Sequence, residues 1–211
     1  VGVDIGCGMY TVRLEDSDID FKKVDESAYF IPSGREIWDG RTERFDLTSL
    51  RCYRSLKRAK YLERSLGTLG GGNHFIEIDK SQDGTNYLVI HSGSRNLGKQ
   101  VAEIYQSLAV DLCLGKEDYF KKRSEIIDTY KKQGRRSEIQ SVLKQLDAEW
   151  MAKEPSEPED LCYLWGSYFE DYLHDVEICQ QFAKRSREKM AEIILERTQM
   201  TAVSAFHTVH N

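Results

Sequence analysis

The feature that most constrains this chain is the stretch Gly67-Thr68-Leu69-Gly70-Gly71-Gly72-Asn73-His74-Phe75-Ile76-Glu77. Three consecutive glycines cost backbone entropy. A chain carries them where φ must be positive or where a bulky group approaches the backbone closely. The stretch then delivers an amide, an imidazole and, after two apolar residues, a carboxylate. Asn73 donates and accepts, His74 can take a metal or a proton, and Glu77 can orient either. If residues 75–78 form a strand, Phe75 and Glu77 share one face, and His74 and Ile76 the other. Read alone, the stretch is equally a glycine turn entering a strand, with His74 held by ordinary hydrogen bonds.

Residues 1–5 alternate small and apolar side chains and predict a strand, broken by a tight turn at Gly6-Cys7-Gly8. Asp4 and Cys7, three apart across that turn, can point at one spot and form half a metal site. Alternatively, Cys7 is a small buried hydrophobe and Asp4 a turn former. Residues 10–49 are polar and mixed, without strong periodicity, and carry a loop signal at residues 31–34. From 49 to 66, Cys52, Leu56, Ala59, Leu62 and Leu66 recur at helical spacing and predict an amphipathic helix. Its other side carries Arg51, Arg54, Lys57, Arg58, Lys60 and Arg64, which reads as a solvated basic face or as a surface for RNA or another polyanion.

Beyond the glycines, residues 82–85 predict a hairpin turn and residues 87–91 a strand ending in His91. That strand runs into Ser92-Gly93-Ser94-Arg95-Asn96-Leu97-Gly98. A helix follows, with Val101, Ile104, Tyr105, Leu108 and Leu112 on one stripe. A strand, a Gly/Ser loop and a helix in succession present backbone N–H groups to a phosphate, and Arg95 adds a fork of donors. Residues 116–150 predict two helices separated at Gly134, residues 154–158 a short linker, and residues 159–197 a long helix whose aromatic residues belong to a core. His174 in that helix reads as structural. Near the end, His207 and His210 lie three apart.

A length of 211 residues suits one domain, and 40% hydrophobic with 31% charged residues describes a soluble globular protein. No apolar run is long enough to span a bilayer, so no membrane partner is expected. No signal peptide is visible, and both ends read as the middle of a longer domain. The five cysteines are widely spaced, odd in number and form no C-x-x-C, which points to a reducing, cytoplasmic compartment. A net charge of -5 gives no general attraction for nucleic acid, so local patches must supply any.

Asp4, Cys7, His74, His91 and His210 each fall in or beside a turn at the end of a predicted strand. One thiolate, one carboxylate and three imidazoles suffice for two metal ions if the thiolate bridges, and a dication would hold Cys7 deprotonated. Metal beside phosphate-capable loops suggests phosphoryl or nucleotidyl transfer.

Residues 3–9, 69–77, 91–95 and His210-Asn211 together resemble the ordered motifs of the RtcB family of RNA-splicing ligases; residues 51–72 and 169–182 also read like that family. The resemblance implies a GTP- and Mn²⁺-dependent ligase joining RNA 3′-phosphate or 2′,3′-cyclic phosphate ends to 5′-hydroxyl ends, through a guanylylated histidine. It implies that Asp4, Cys7 and His74 bind one Mn²⁺, and that Cys7, His91 and His210 bind the other. It further implies that Asn73 and Glu77 contact the guanylate, that Asn211 lies beside it, and that Arg95 holds a phosphate. The donor set alone leaves zinc open, since thiolate is atypical for manganese. The family's guanylylated histidine lies after the position of Asn211, so this chain alone is expected neither to form the GMP adduct nor to ligate RNA. Asn96 stands where glycine is often found, and Asn tolerates positive φ. Ser186-Arg187 replaces an expected Asn-Arg.

The expected fold is mixed α+β, an RtcB-like arrangement with central β-sheets, flanking helices and a helical insertion at 99–160, within a single truncated catalytic domain spanning 1–211. Two other functions fit less of the pattern. One is a metal-dependent phosphatase or cyclic phosphodiesterase working without guanylylation. The other is a non-catalytic RNA-binding fragment.

Overall fold

The computed structural model describes residues 4–210. Its organising element is a four-stranded antiparallel sheet of β1 (Gly8–Leu14), β2 (Phe75–Lys80), β3 (Asn86–Ser92) and β4 (Ala202–Val209), in the order β2-β3-β1-β4. Strands β2 and β3 form the expected hairpin. Ser81 N donates to Thr85 O at 2.9 Å, Gly84 takes φ +87°, and the Asp83 carboxylate accepts from Thr85 N at 3.0 Å. The register pairs Phe75 with His91, Met9 with His91, and Gly8 with both Ser92 and Val209. The starts of β1 and β2 and the ends of β3 and β4 therefore meet at one end of the sheet. Cys7, His74, His91 and His210 all sit at that end because each occupies, or directly adjoins, a terminal strand position.

The sheet's packed face follows from side-chain alternation. Val12 and Leu14 of β1 and Leu88 and Ile90 of β3 form one buried cluster with Met190, Ala191 and Ile194 of the long helix at Gly166–Thr198. Tyr10, Ile76 and Ile78 pack at its margin. On β3 the run Tyr87-Leu88-Val89-Ile90 has the β-branched and aromatic character that suits a central strand.

The helices are α1 (Phe21–Phe30), α2 (Ala59–Arg64), α3 (Arg95–Cys113), α4 (Lys116–Lys132), α5 (Ile139–Met151) and α6 (Gly166–Thr198). The described residues divide into two compact units, one running to Glu103 and resuming at Asp171, the other Ile104–Glu170. Within the second, the Tyr119 hydroxyl of α4 donates to Asp147 of α5 at 2.5 Å, and its ring lies 4.9 Å from that of Trp150. Gly134 makes the turn between them at φ +76°.

Several local expectations are corrected. Of the strand expected at residues 1–5, residues 1–3 lie outside the described residues and 4–6 form a turn closed by Cys7 N donating to Asp4 O at 3.1 Å. The strand starts at Gly8 instead. Helix α1 rises from a stretch with little periodicity; it is capped by the Asp20 carboxylate accepting from Lys23 N and buries only Val24 and Ser27. The single helix expected over 49–66 is replaced by 3₁₀ turns at Leu47–Ser49 and Tyr53–Ser55 and the short α2. The cause is long-range: the Asp175 carboxylate of α6 accepts from Arg51 N at 2.8 Å and Cys52 N at 3.0 Å, and Arg58 takes φ 57°. The six basic residues consequently do not share a helical face. Arg51 pairs with Asp171 at 3.7 Å, Arg58 covers the Tyr61 ring at 4.4 Å, and Arg64 Nε donates to Trp38 O at 2.6 Å. Helix α6 starts at Gly166, after a 3₁₀ turn at Glu159–Leu161.

Candidate metal centre

Two imidazoles at the sheet end are oriented by backbone carbonyls. His91 Nδ1 lies 3.1 Å from Asn73 O, and His74 Nδ1 lies 3.1 Å from Leu69 O. A carbonyl only accepts, so each neutral ring places its N–H there and keeps a lone pair on Nε2. Those lone pairs converge. His91 Nε2 is 3.2 Å from Cys7 Sγ and 3.1 Å from His210 Nε2, while His74 Nε2 is 3.8 Å from Cys7 Sγ and 2.9 Å from Asp4 Oδ2. Two triads result, Asp4-Cys7-His74 and Cys7-His91-His210, each with its donor atoms within 4.8 Å of one another. Cys7 belongs to both. Without a metal these contacts are met by protons, a thiol S–H toward His91 and an Nε2–H toward the Asp4 carboxylate, and a metal ion at either triad would take those protons' place; an outer N–H held by a carbonyl is the usual second partner of a metal-binding histidine. The donor set therefore fits a pair of divalent cations.

The electrostatics agree with a site built for positive charge. Burial, and then the neighbouring Asp4 carboxylate, push the Cys7 thiol up to about 11. Burial alone would raise Asp4, but its contacts with His74 and Cys7 and the charge of Arg95 outweigh that and hold it below the usual carboxylate value. Burial draws His91 down, which keeps the ring neutral and its lone pair available. A dication reverses the cysteine's preference, because a coordinated thiol gives up its proton.

Close approach explains the glycines. At Gly70 (φ +94°) a Cβ would lie 2.6 Å from His74 Nδ1 and would collide with the Arg95 guanidinium. At Gly93 a Cβ would fall on the Asp4 carboxylate. Arg95 opens α3 at φ 61°, so the left-handed position in this loop is Arg95 and not Asn96. Its Nε donates to Thr68 Oγ1 at 3.1 Å and its Nη2 to Gly34 O at 2.7 Å, fixing it over the glycine loop. Asp4, His74, Arg35, Arg95, Asn96 and Lys99 line a cavity of about 510 Å³, so the carboxylate end of the centre opens onto three cationic side chains.

A model of the family described as "tRNA-splicing ligase RtcB" matches residues 39–210. The chain belongs to the RtcB family. RNA-splicing ligase RtcB of Escherichia coli strain K12 is 28% identical over an alignment of 226 positions, covering 94% of this chain and 46% of that protein. RNA-splicing ligase RtcB1 of Escherichia coli strain ATCC 25922 matches to the same extent. The RtcB-family chain thus spans about half the length of the curated relatives it matches. Among its described residues, no helix is long and apolar enough to cross a membrane.

In this RtcB-family chain, Asp4, Cys7, His74, His91 and His210 come together at one end of the sheet, with Arg95 beside them. The Asn73 side chain is exposed, and its backbone carbonyl orients His91. Glu77 is exposed on β2, opposite Val89. Asn211 lies outside the described residues. His174 contacts Asp175 at 3.1 Å, far from the centre in sequence. Sequence reading missed the carbonyls of Leu69 and Asn73, the Thr68 hydroxyl, and Arg187, whose guanidinium is fully buried behind Cys7. Arg187 had two visible signals: it belongs to the pair Ser186-Arg187 that stands where the resemblance expects Asn-Arg, and it sits on the apolar stripe of Ala183, Met190, Ala191 and Ile194.

Proposed function

We propose that this chain supplies the metal-binding part of a GTP- and Mn²⁺-dependent RNA ligase, which joins 3′-phosphate or 2′,3′-cyclic phosphate ends to 5′-hydroxyl ends. The observation that carries this reading is the Cys7 sulfur shared by two donor triads, in a chain of a family whose relatives are named RNA-splicing ligases. Two divalent ions bound there would supply Lewis acidity and neutralise phosphate oxygens. Asp4, Cys7 and His74 would hold one ion, and Cys7, His91 and His210 the other. Leu69 O and Asn73 O fix the rings so that Nε2 faces inward. Arg95 and Lys99, on the cavity that opens beside Asp4 and His74, suit a phosphate of the RNA end or of the nucleotide. Asn73 and Glu77 are the candidates for guanylate contact, with Asn211 beside them. We assign residues 99–160 as a helical insertion in a single RtcB-like catalytic domain, and the compartment as cytoplasmic.

Elemental analysis of the purified chain tests the metal part: Mn²⁺ loading should saturate near two ions per chain, and loading near zero would remove the centre. The ligase part is tested with the 211-residue chain and radiolabelled GTP. The resemblance places the acceptor histidine outside these residues, so no covalent label is expected, and labelling would refute that assignment. Release of phosphate from an RNA 3′-end without GTP would instead favour a phosphatase.

A further inference from the structure

We infer that Arg187 is a positioning residue of this metal centre: from within α6 it ties the turn carrying Cys7 to the strand end carrying His91. The inference rests on the metal-centre reading above. The β1–β3 ladder stops at the pair Gly8–Ser92, so Cys7 and Gly6 lie beyond its last rung. At that point one side chain continues the connection. Arg187 Nη1 donates to Gly6 O at 2.8 Å and to Ser92 O at 2.6 Å. Gly6 immediately precedes Cys7, and Ser92 immediately follows His91. One nitrogen with two N–H groups therefore spans two carbonyls that could not bond to each other, and in doing so sets how far the thiol stands from its imidazole.

The surroundings make this a seat and not a passing contact. Arg187 is fully buried. Gln180, Ala183 and Arg187 recur at helical spacing on one face of α6, and the Cys7 turn lies directly against that face. At Gly6, with φ +79°, a Cβ would come within 3.0 Å of both Ala183 Cβ and Gln180 Cα. The neighbouring Ser186 Oγ accepts from Gly67 N at 2.9 Å, where the glycine stretch leading to His74 begins. Two consecutive residues of one helix thus hold three backbone segments, and each segment leads to a different donor. Arg187 Nε and Nη2 make no hydrogen bond among the described residues.

The test measures metal affinity of the chain by titration, together with the near-ultraviolet thiolate-to-metal band of the Co²⁺-loaded form. Arg187→Met should weaken binding about 10–100-fold, the range for losing a residue that orients metal ligands, and should shift or weaken the Co²⁺ band. Arg187→Lys, with a shorter reach and a single nitrogen, should fall between Met and wild type; it carries the test if the Met variant fails to fold. Met190→Ala, on the same helix but in the sheet core, should lower the thermal midpoint while leaving affinity and band unchanged. Two results would overturn the inference: either Arg187 variant binding within twofold of wild type with an unaltered band, or Met190→Ala losing affinity as much as Arg187→Met. Failure of the wild-type chain itself to bind metal would overturn the metal-centre reading, and this inference with it.

Discussion

Removing the Cys7 sulfur should have a different consequence from removing any other donor, and the geometry says by how much. Sγ is the only atom common to the two triads. Cys7→Ala therefore reduces both sites from three protein donors to two at once. Asp4→Ala reduces only the first, and His210→Ala only the second. A four-ligand structural Zn²⁺ site, taken as the upper reference, contributes about 10–16 kcal/mol of apparent binding free energy, or about 3 kcal/mol per ligand. Each lost donor then costs about two orders of magnitude in affinity. At a metal concentration that just saturates the wild type, Asp4→Ala and His210→Ala should each retain about one ion per chain and Cys7→Ala about none. Desalting followed by elemental analysis counts the ions, and thermal melts with and without metal check that all variants are folded. If Cys7→Ala keeps as much metal as either single-site variant, the sulfur does not bridge and the two-ion reasoning fails.

Other perturbations have equally definite outcomes. A thiol held at about 11 is protonated at neutral pH, so metal binding must expel its proton. Apparent affinity should rise by about one decade per pH unit from pH 7 to 10, and titrations in buffers of different ionisation enthalpy should show the released proton. Gly93→Ala puts a methyl on the Asp4 carboxylate; it should weaken the Asp4-Cys7-His74 ion while sparing the other, read by the same ion count. Asp175→Ala strips the acceptor from the buried Cys52 N–H and the part-buried Arg51 N–H and should destabilise the fold by about 2–3 kcal/mol, measured by urea unfolding at pH 7. Burial would raise Asp175, but the N–H groups of Cys52 and Arg51 hold it below its ordinary 3.8. Its contribution is therefore complete above pH 3.8 and disappears as pH falls through the lower folded value, so the two proteins should converge in stability in strong acid.

The parts of the molecule that were readable in the sequence are those governed by local chemistry. The Gln82–Thr85 turn and the Tyr87–His91 run dictate a hairpin by themselves, and Val101, Tyr105 and Leu112 are buried on the expected stripe of α3. The five candidate donors stand out in the sequence because thiol, carboxylate and imidazole beside turns are an uncommon combination. Residues 49–66 misled because their apolar spacing is helical, whereas their backbone is set by a carboxylate 124 positions away. The same holds for Arg187: its spacing marks it as an oddity on an apolar stripe, but only the chain's path brings Gly6 and Ser92 to it. Strand β1 was missed because Tyr10, Val12 and Leu14 alternate over too few residues to stand out from a polar stretch.

The pairing of β1 with β4 has a thermodynamic side. Gly8 and Val209 are sequence-distant partners, and Cys7 O accepts from His210 N at 3.1 Å, so the donors from the two ends of the chain meet only when that last ladder closes. An ion that needs Cys7 and His210 together binds the closed sheet and not an open one. Added metal must therefore pull the closing equilibrium by mass action, by RT ln(1 + [M]/Kd). Amide exchange along β4 is the natural gauge: this edge strand, whose residues are nearly all solvent-facing, should be the segment that slows most when the centre fills.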